Sequence, residues 1–158
     1  MAKNTKILII GGGHIGSRHL QGVLKSSNPL CVTVIDPNHE ALKICKMRAN
    51  KINFGNSLTK INYRQNPPIN ETFEICIIST NADVRAKITK DFITTCTIKF
   101  IIFEKILFQK DKDYKTISKL LKKNSVKAWV NCPRRMYTFY NDIKKNLDEK
   151  ETIKMNIK

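Results

Sequence analysis

With 158 residues, 41% of them hydrophobic and 27% charged, the chain has the composition of one globular domain and not of a disordered segment. No stretch approaches the roughly 20 apolar residues that a membrane-crossing helix requires, and five cysteines without a C-x-x-C pair argue against a disulfide framework or a zinc site. The formal charge of +16 suits a polyanionic partner, yet the lysines are dispersed and no nucleic-acid-binding signature accompanies them, so nucleic acid is not favoured.

Lys6 to Ile10 is a continuous apolar run, the pattern of a strand buried on both faces of a parallel sheet. It ends in Gly11-Gly12-Gly13-His14-Ile15-Gly16. Ser17 to Lys25 can form a helix with Ile15, Leu20, Val23 and Leu24 toward the sheet, stopped by Ser26-Ser27-Asn28-Pro29. Cys31 to Ile35 is a second β-branched run, ending at Asp36-Pro37, and a helix is predicted from Asn38 to Asn50. Ile61 to Arg64 is a short third strand and Phe73 to Ser79 a fourth. A helix over Ala82 to Phe92 leads to a fifth strand, Lys99 to Phe103. The helix Asp111 to Lys123 leads to a sixth, Val126 to Val130, and Pro133 opens a last helix running to about Lys150. This alternation predicts an α/β fold: a doubly wound parallel sheet of order 3-2-1-4-5-6 in three αβα layers, the Rossmann NAD(P)-binding arrangement.

The glycines of the first turn have separate expected jobs. Gly11 permits the tight turn, Gly13 lets the backbone approach a pyrophosphate, and Gly16 allows close packing of helix on strand. The N–H groups of His14, Ile15 and Gly16 then face the phosphates, aided by the positive end of the helix dipole. Asp36 stands 20 residues beyond Gly16 at the end of the second strand. A carboxylate there accepts hydrogen bonds from the adenosine ribose and repels a 2′-phosphate, so NAD is expected in preference to NADP. Ligands of such sheets sit beyond the carboxyl ends of the strands, which adds Ser79, Thr80, Asn81, Glu104 and Lys105 to the expected cofactor contacts. His14, His19 and His39 offer no metal-ligand pattern, and no metal site is expected.

Four segments together resemble the N-terminal half of the Gfo/Idh/MocA oxidoreductases. They are Ile7 to Leu20 with its Arg18-His19 pair, Ser79 to Arg85, Phe103-Glu104-Lys105, and Asn131 to Met136. The resemblance implies that Lys105 lies near nicotinamide and substrate and orients or polarises the reacting carbinol, that Glu104 orients this lysine, and that Arg135 contacts substrate or the carboxamide side of the cofactor. It implies a sugar or nucleotide-sugar hydroxyl as the site of hydride transfer. Departures stand at Ile106, where the family has proline, at Asn81, where proline is usual, and at Arg85, where histidine is common. Family members continue into an α+β domain. Residues 1–150 are therefore expected to form the dinucleotide-binding domain, and 151–158, with strand-like Thr152 to Ile157, the start of a truncated second one. No signal peptide is evident, which makes the cytoplasm the expected location.

Three functional readings follow: a dehydrogenase cofactor domain, incomplete as a catalyst alone; a non-catalytic NAD-binding module or subunit; and a basic nucleic-acid-binding protein on the same scaffold. The partners expected with the first two are the dinucleotide and a homo-oligomeric copy or a complementing C-terminal chain.

Overall fold

A computed structural model describes residues 4–145 of the chain. Six strands form one parallel sheet: β1 (Thr5–Ile10), β2 (Leu30–Ile35), β3 (Lys60–Arg64), β4 (Thr72–Ile78), β5 (Thr97–Phe103) and β6 (Lys127–Val130). Their order is β3-β2-β1-β4-β5-β6, as the alternation of apolar runs predicts. The helices α1 (His14–Val23) and α2 (His39–Ala49) cover one face, and α3 (Ala82–Thr95) and α4 (Asp111–Lys123) the other. A 3-10 turn (Pro133–Met136) and α5 (Thr138–Lys145) follow β6.

Two apolar layers hold the sheet between its helices. Ile7, Ile9, Val32 and Val34 pack against Leu20, Leu24, Leu42 and Cys45 on the α1–α2 side. Leu8, Ile10, Ile78, Ile101 and Phe103 pack with Phe92, Ile93 and Ile117 on the α3–α4 side. The alternation of side chains along each strand explains why β1 from Ile7 onward, and β2 but for the buried Thr33, read as apolar runs: both faces are covered. Each such side chain, fully buried, contributes about 1.5–3 kcal/mol.

Helix ends follow from local chemistry. The side chain of Asn38 caps α2 by accepting from the Glu40 N–H at 2.9 Å. Asp111 and Asp113 sit in the first turn of α4 and Lys122 and Lys123 in the last, matching the helix dipole. The predicted helix from Pro133 is instead broken: the 3-10 turn ends at Tyr137, whose backbone is extended, and α5 starts anew at Thr138. Its predicted continuation to Lys150 lies outside the described residues, as does the strand-like segment Thr152 to Ile157. Helix α1 also begins three residues earlier than the periodicity indicates, because Gly13 serves as its N-cap.

The strand order reverses between β1 and β4, and a crevice opens there beyond their carboxyl ends. Sheet pairing extends into the loops around it. Gly11 N–H donates to the Ile35 carbonyl at 2.8 Å and Ser79 N–H to the Ile10 carbonyl at 2.9 Å. The turn after β1 is thus fixed to both neighbouring strands.

Candidate functional site

The crevice begins with the glycine turn. Gly11 has φ +94°, a conformation that side chains rarely adopt. A Cβ at Gly16 would lie 1.7 Å from the Gly11 carbonyl oxygen, so α1 reaches the turn only because that atom is missing. A Cβ at Gly13 would meet no atom within 4 Å. Its side of the turn is open space, where a Cβ would obstruct only an incoming ligand. Gly13 supplies no side-chain cap to α1, so the first-turn amides of His14, Ile15 and Gly16 and the positive helix end are directed at this opening.

Asp36 closes the other side. Its Oδ2 accepts from the Gly12 N–H at 2.8 Å and its Oδ1 from the Asn38 N–H at 2.8 Å. A carboxylate has about four acceptor positions, so two remain for hydroxyl donors. Asp36, Gly11, Gly13, His14, Ile15, Ser79, Thr80 and Asn81 line one cleft of about 580 Å³, with Val84, Ile88 and Phe92 among its apolar lining. The Ser79 hydroxyl is within 2.9 Å of the carbonyls of Ile10 and Gly11, to which it donates, and supports the turn from below. Ile15 differs from the sequence expectation. It is 46% exposed and does not cover the sheet, because the first turn of α1 lies beyond the strand ends. It separates this cleft from a second cavity that it also lines.

Glu104 and Lys105 belong to that second cavity, of 550 Å³, together with Arg18, His19 and Asn131 over a floor that includes Ile77 and Ile102. Glu104 is its hub. His19 Nε2 donates to Glu104 Oε1 at 2.7 Å and Asn131 Nδ2 donates to the same oxygen at 2.6 Å. Burial pushes the Glu104 carboxyl up. Hydrogen bonds from Asn131 and His19, the His19 charge and the Lys105 amide outweigh it and hold the group below its ordinary value. Lys105 itself is exposed. Its peptide bond to Ile106 is cis.

Arg85, on α3, joins the two cavities from beneath. It is only 3% exposed. Its Nη1 donates to the carbonyls of Glu104 (2.5 Å), Ile106 and Leu107 (3.1 Å), and its Nη2 donates to the Thr80 carbonyl. Burial lowers its pKa, and the Glu104 charge works against that shift. Arg48 of α2 is a further missed contact, donating to the Ser17 hydroxyl at 2.7 Å on α1. Ser17 lies 31 positions from Arg48, and of the Arg85 partners only Thr80 is near in sequence, the others lying 19 to 22 positions away. Arg135 lies on the 3-10 turn after β6, and among the described residues no cluster of three or more metal-ligating side chains occurs. No helix of the described residues is long and apolar enough to cross a membrane.

Solved structures share this fold. A Gfo/Idh/MocA family oxidoreductase from Vibrio cholerae is 18% identical with a TM-score of 0.65, over 90% of this chain and 43% of that one. The myo-inositol 2-dehydrogenase of Lactobacillus plantarum is 16% identical with a TM-score of 0.68, over 90% and 40%. The WlbA dehydrogenase of Chromobacterium violaceum, solved with NADH and UDP-GlcNAcA, is 15% identical with a TM-score of 0.62, over 82% and 35%. At these identities the likeness is one of fold, and the chain spans less than half the length of the V. cholerae, L. plantarum and C. violaceum proteins (43%, 40% and 35%). Curated proteins include no match to it. A family model described as "Putative NAD(P)-binding" matches residues 1–98, the segment that carries the glycine turn, Asp36 and Ser79 to Asn81. With the open turn, the capped carboxylate and this match in agreement, the chain belongs to that NAD(P)-binding family.

Proposed function

We propose that the chain is the NAD-binding part of an oxidoreductase that oxidises a sugar or nucleotide-sugar hydroxyl, hydride passing from the carbon that bears it to NAD and the hydroxyl proton to a base. The observation that carries the proposal is the open glycine turn facing the Asp36 carboxylate across one cleft. In this reading the amides of His14, Ile15 and Gly16 hold the pyrophosphate, and Asp36 accepts from the adenosine ribose. Arg64 supports NAD over NADP. Its carbonyl receives the Asp36 N–H at 3.2 Å, but its guanidinium is engaged by Glu71 at 2.5 Å and is not offered to a 2′-phosphate.

Bound NAD would supply the hydride acceptor. The chain's own part is to orient and to stabilise charge. Lys105 places a cation where alkoxide character develops on the carbinol oxygen, and the Glu104–His19–Asn131 cluster fixes the loop that carries it. Arg135 is assigned to substrate contact. A second reading, a cofactor-binding module that takes its proton acceptor from another segment or chain, is supported by His19. It is the histidine beside Lys105, and its Nε2 is already committed to Glu104. The face of β5 and β6 on the α1 side supports an assembly with a second copy or a separate domain, since Trp129 is 47% exposed there beside Phe100.

Calorimetric titration with NAD and NADP, on wild type and Asp36→Ala, tests the proposal. NAD should bind more tightly to wild type, and the substitution should narrow the difference. Tighter binding of NADP by the wild type, or no dinucleotide binding, would refute it. A hydride-transfer assay on sugars separates the dehydrogenase from the module.

A further inference from the structure

Lys105 is exposed, and its loop has no regular secondary structure to hold it. The carbonyls on either side of it, those of Glu104 and Ile106, accept from one and the same nitrogen, Arg85 Nη1. The other terminal nitrogen of that guanidinium donates to the Thr80 carbonyl in the loop after β4, which lines the dinucleotide cleft. We propose that Arg85 is a positioning residue for the cofactor site: its buried guanidinium clasps the loops after β4 and β5 together and thereby sets Lys105 at the nicotinamide end. The proposal rests on the NAD-binding reading above and goes beyond it.

A planar fork of five donors is suited to this task. It can address two loops at once from a fixed position, whereas a lysine presents one nitrogen on a flexible stem. The site also explains how a cation tolerates burial there. Four carbonyl oxygens surround the terminal nitrogens, while Nε has no partner. The four contacts offset the cost of burying the charge, and the unpartnered Nε leaves part of that cost standing. Glu104 is then anchored twice, by Arg85 at its main-chain carbonyl and by His19 and Asn131 at its carboxylate.

The test compares two ligands that share the adenosine diphosphate-ribose portion and differ in nicotinamide. NADH and ADP-ribose are titrated calorimetrically into wild type, Arg85→Lys and Arg85→Met, and the nicotinamide fluorescence of bound NADH is recorded. Each variant should bind NADH about tenfold or more weakly, with bound fluorescence shifted toward that of free NADH. ADP-ribose affinity should stay within about twofold of wild type. Arg85→Lys keeps the charge and most of the buried stem, so the comparison survives should Arg85→Met fail to fold. Equal losses for both ligands, or no loss for either, overturn the positioning role. A wild type that binds neither ligand overturns the NAD-binding reading itself, and this proposal with it.

Discussion

Adding one methyl group to the glycine turn should destabilise the fold at one position and leave it stable at another three residues away, while weakening binding at both. In Gly16→Ala the new Cβ would sit 1.7 Å from the Gly11 carbonyl oxygen and 2.7 Å from the Ser79 hydroxyl. A carbon–oxygen contact needs about 3.3 Å, so α1 and the turn must part by about 1.6 Å. Backbone cannot rotate away as a side chain does. Overpacking of this kind costs about 1–3 kcal/mol, or a fall in Tm of about 2–4 °C per kcal/mol for a chain of this size. The amides that face the phosphates move with the helix, and a displacement of about 1 Å can cost on the order of a hundredfold in a positioned site. In Gly13→Ala the new Cβ meets nothing within 4 Å. The backbone there is extended, at φ −65°, so Ala is tolerated and stability should change by less than about 1 kcal/mol. Yet that Cβ projects into the space a pyrophosphate needs. Thermal unfolding and NADH titration should therefore show Gly16→Ala losing both stability and binding, and Gly13→Ala losing binding alone. A Gly13→Ala protein that binds NADH like wild type would refute the reasoning.

Two other outcomes follow from the charges and thiols. Folded Glu104 titrates below its ordinary value of 4.5, so its contribution to stability is complete above the unfolded pKa and is lost as pH falls through the folded one. Urea unfolding across acidic pH should show that loss in wild type, and Glu104→Gln should flatten it. Burial raises Cys45 to about 11 and pushes Cys76 higher still, while Cys31 and Cys132 are half-buried. A thiol reagent at neutral pH should label Cys31 and Cys132 before Cys45 and Cys76 in the native protein, and a reversed order would contradict the packing.

The strands were legible because the sheet is parallel and covered on both faces. Leu8 and Ile9 are both fully buried, on opposite sides, so periodicity gives a solid apolar run. The glycine turn was legible because Gly11 and Gly16 answer to local constraints, a positive φ and a helix-to-turn contact. What the sequence concealed depends on contacts between distant segments. His19 meets Glu104 across 85 positions, and Asn131 meets it across 27. Arg85 reaches the loop after β5 across about twenty positions (19 to Glu104), and nothing near Arg85 marks it as buried. The same limit applies to the two cavities. Placing Glu104 and Lys105 beyond a strand end puts them near the crevice, but only the position of Ile15 on α1 divides it in two. The break at Tyr137 was hidden because Pro133 is as compatible with a short 3-10 turn as with a long helix.

The central claim is that the first turn after β1 grips a diphosphate through main-chain amides. Two-dimensional 15N–1H correlation spectra of the full chain, recorded with and without NAD, test it most directly. The account predicts that the largest amide shifts fall on Gly13, His14, Ile15 and Gly16. Saturating NAD that leaves those four amides in place while shifting resonances elsewhere would contradict it.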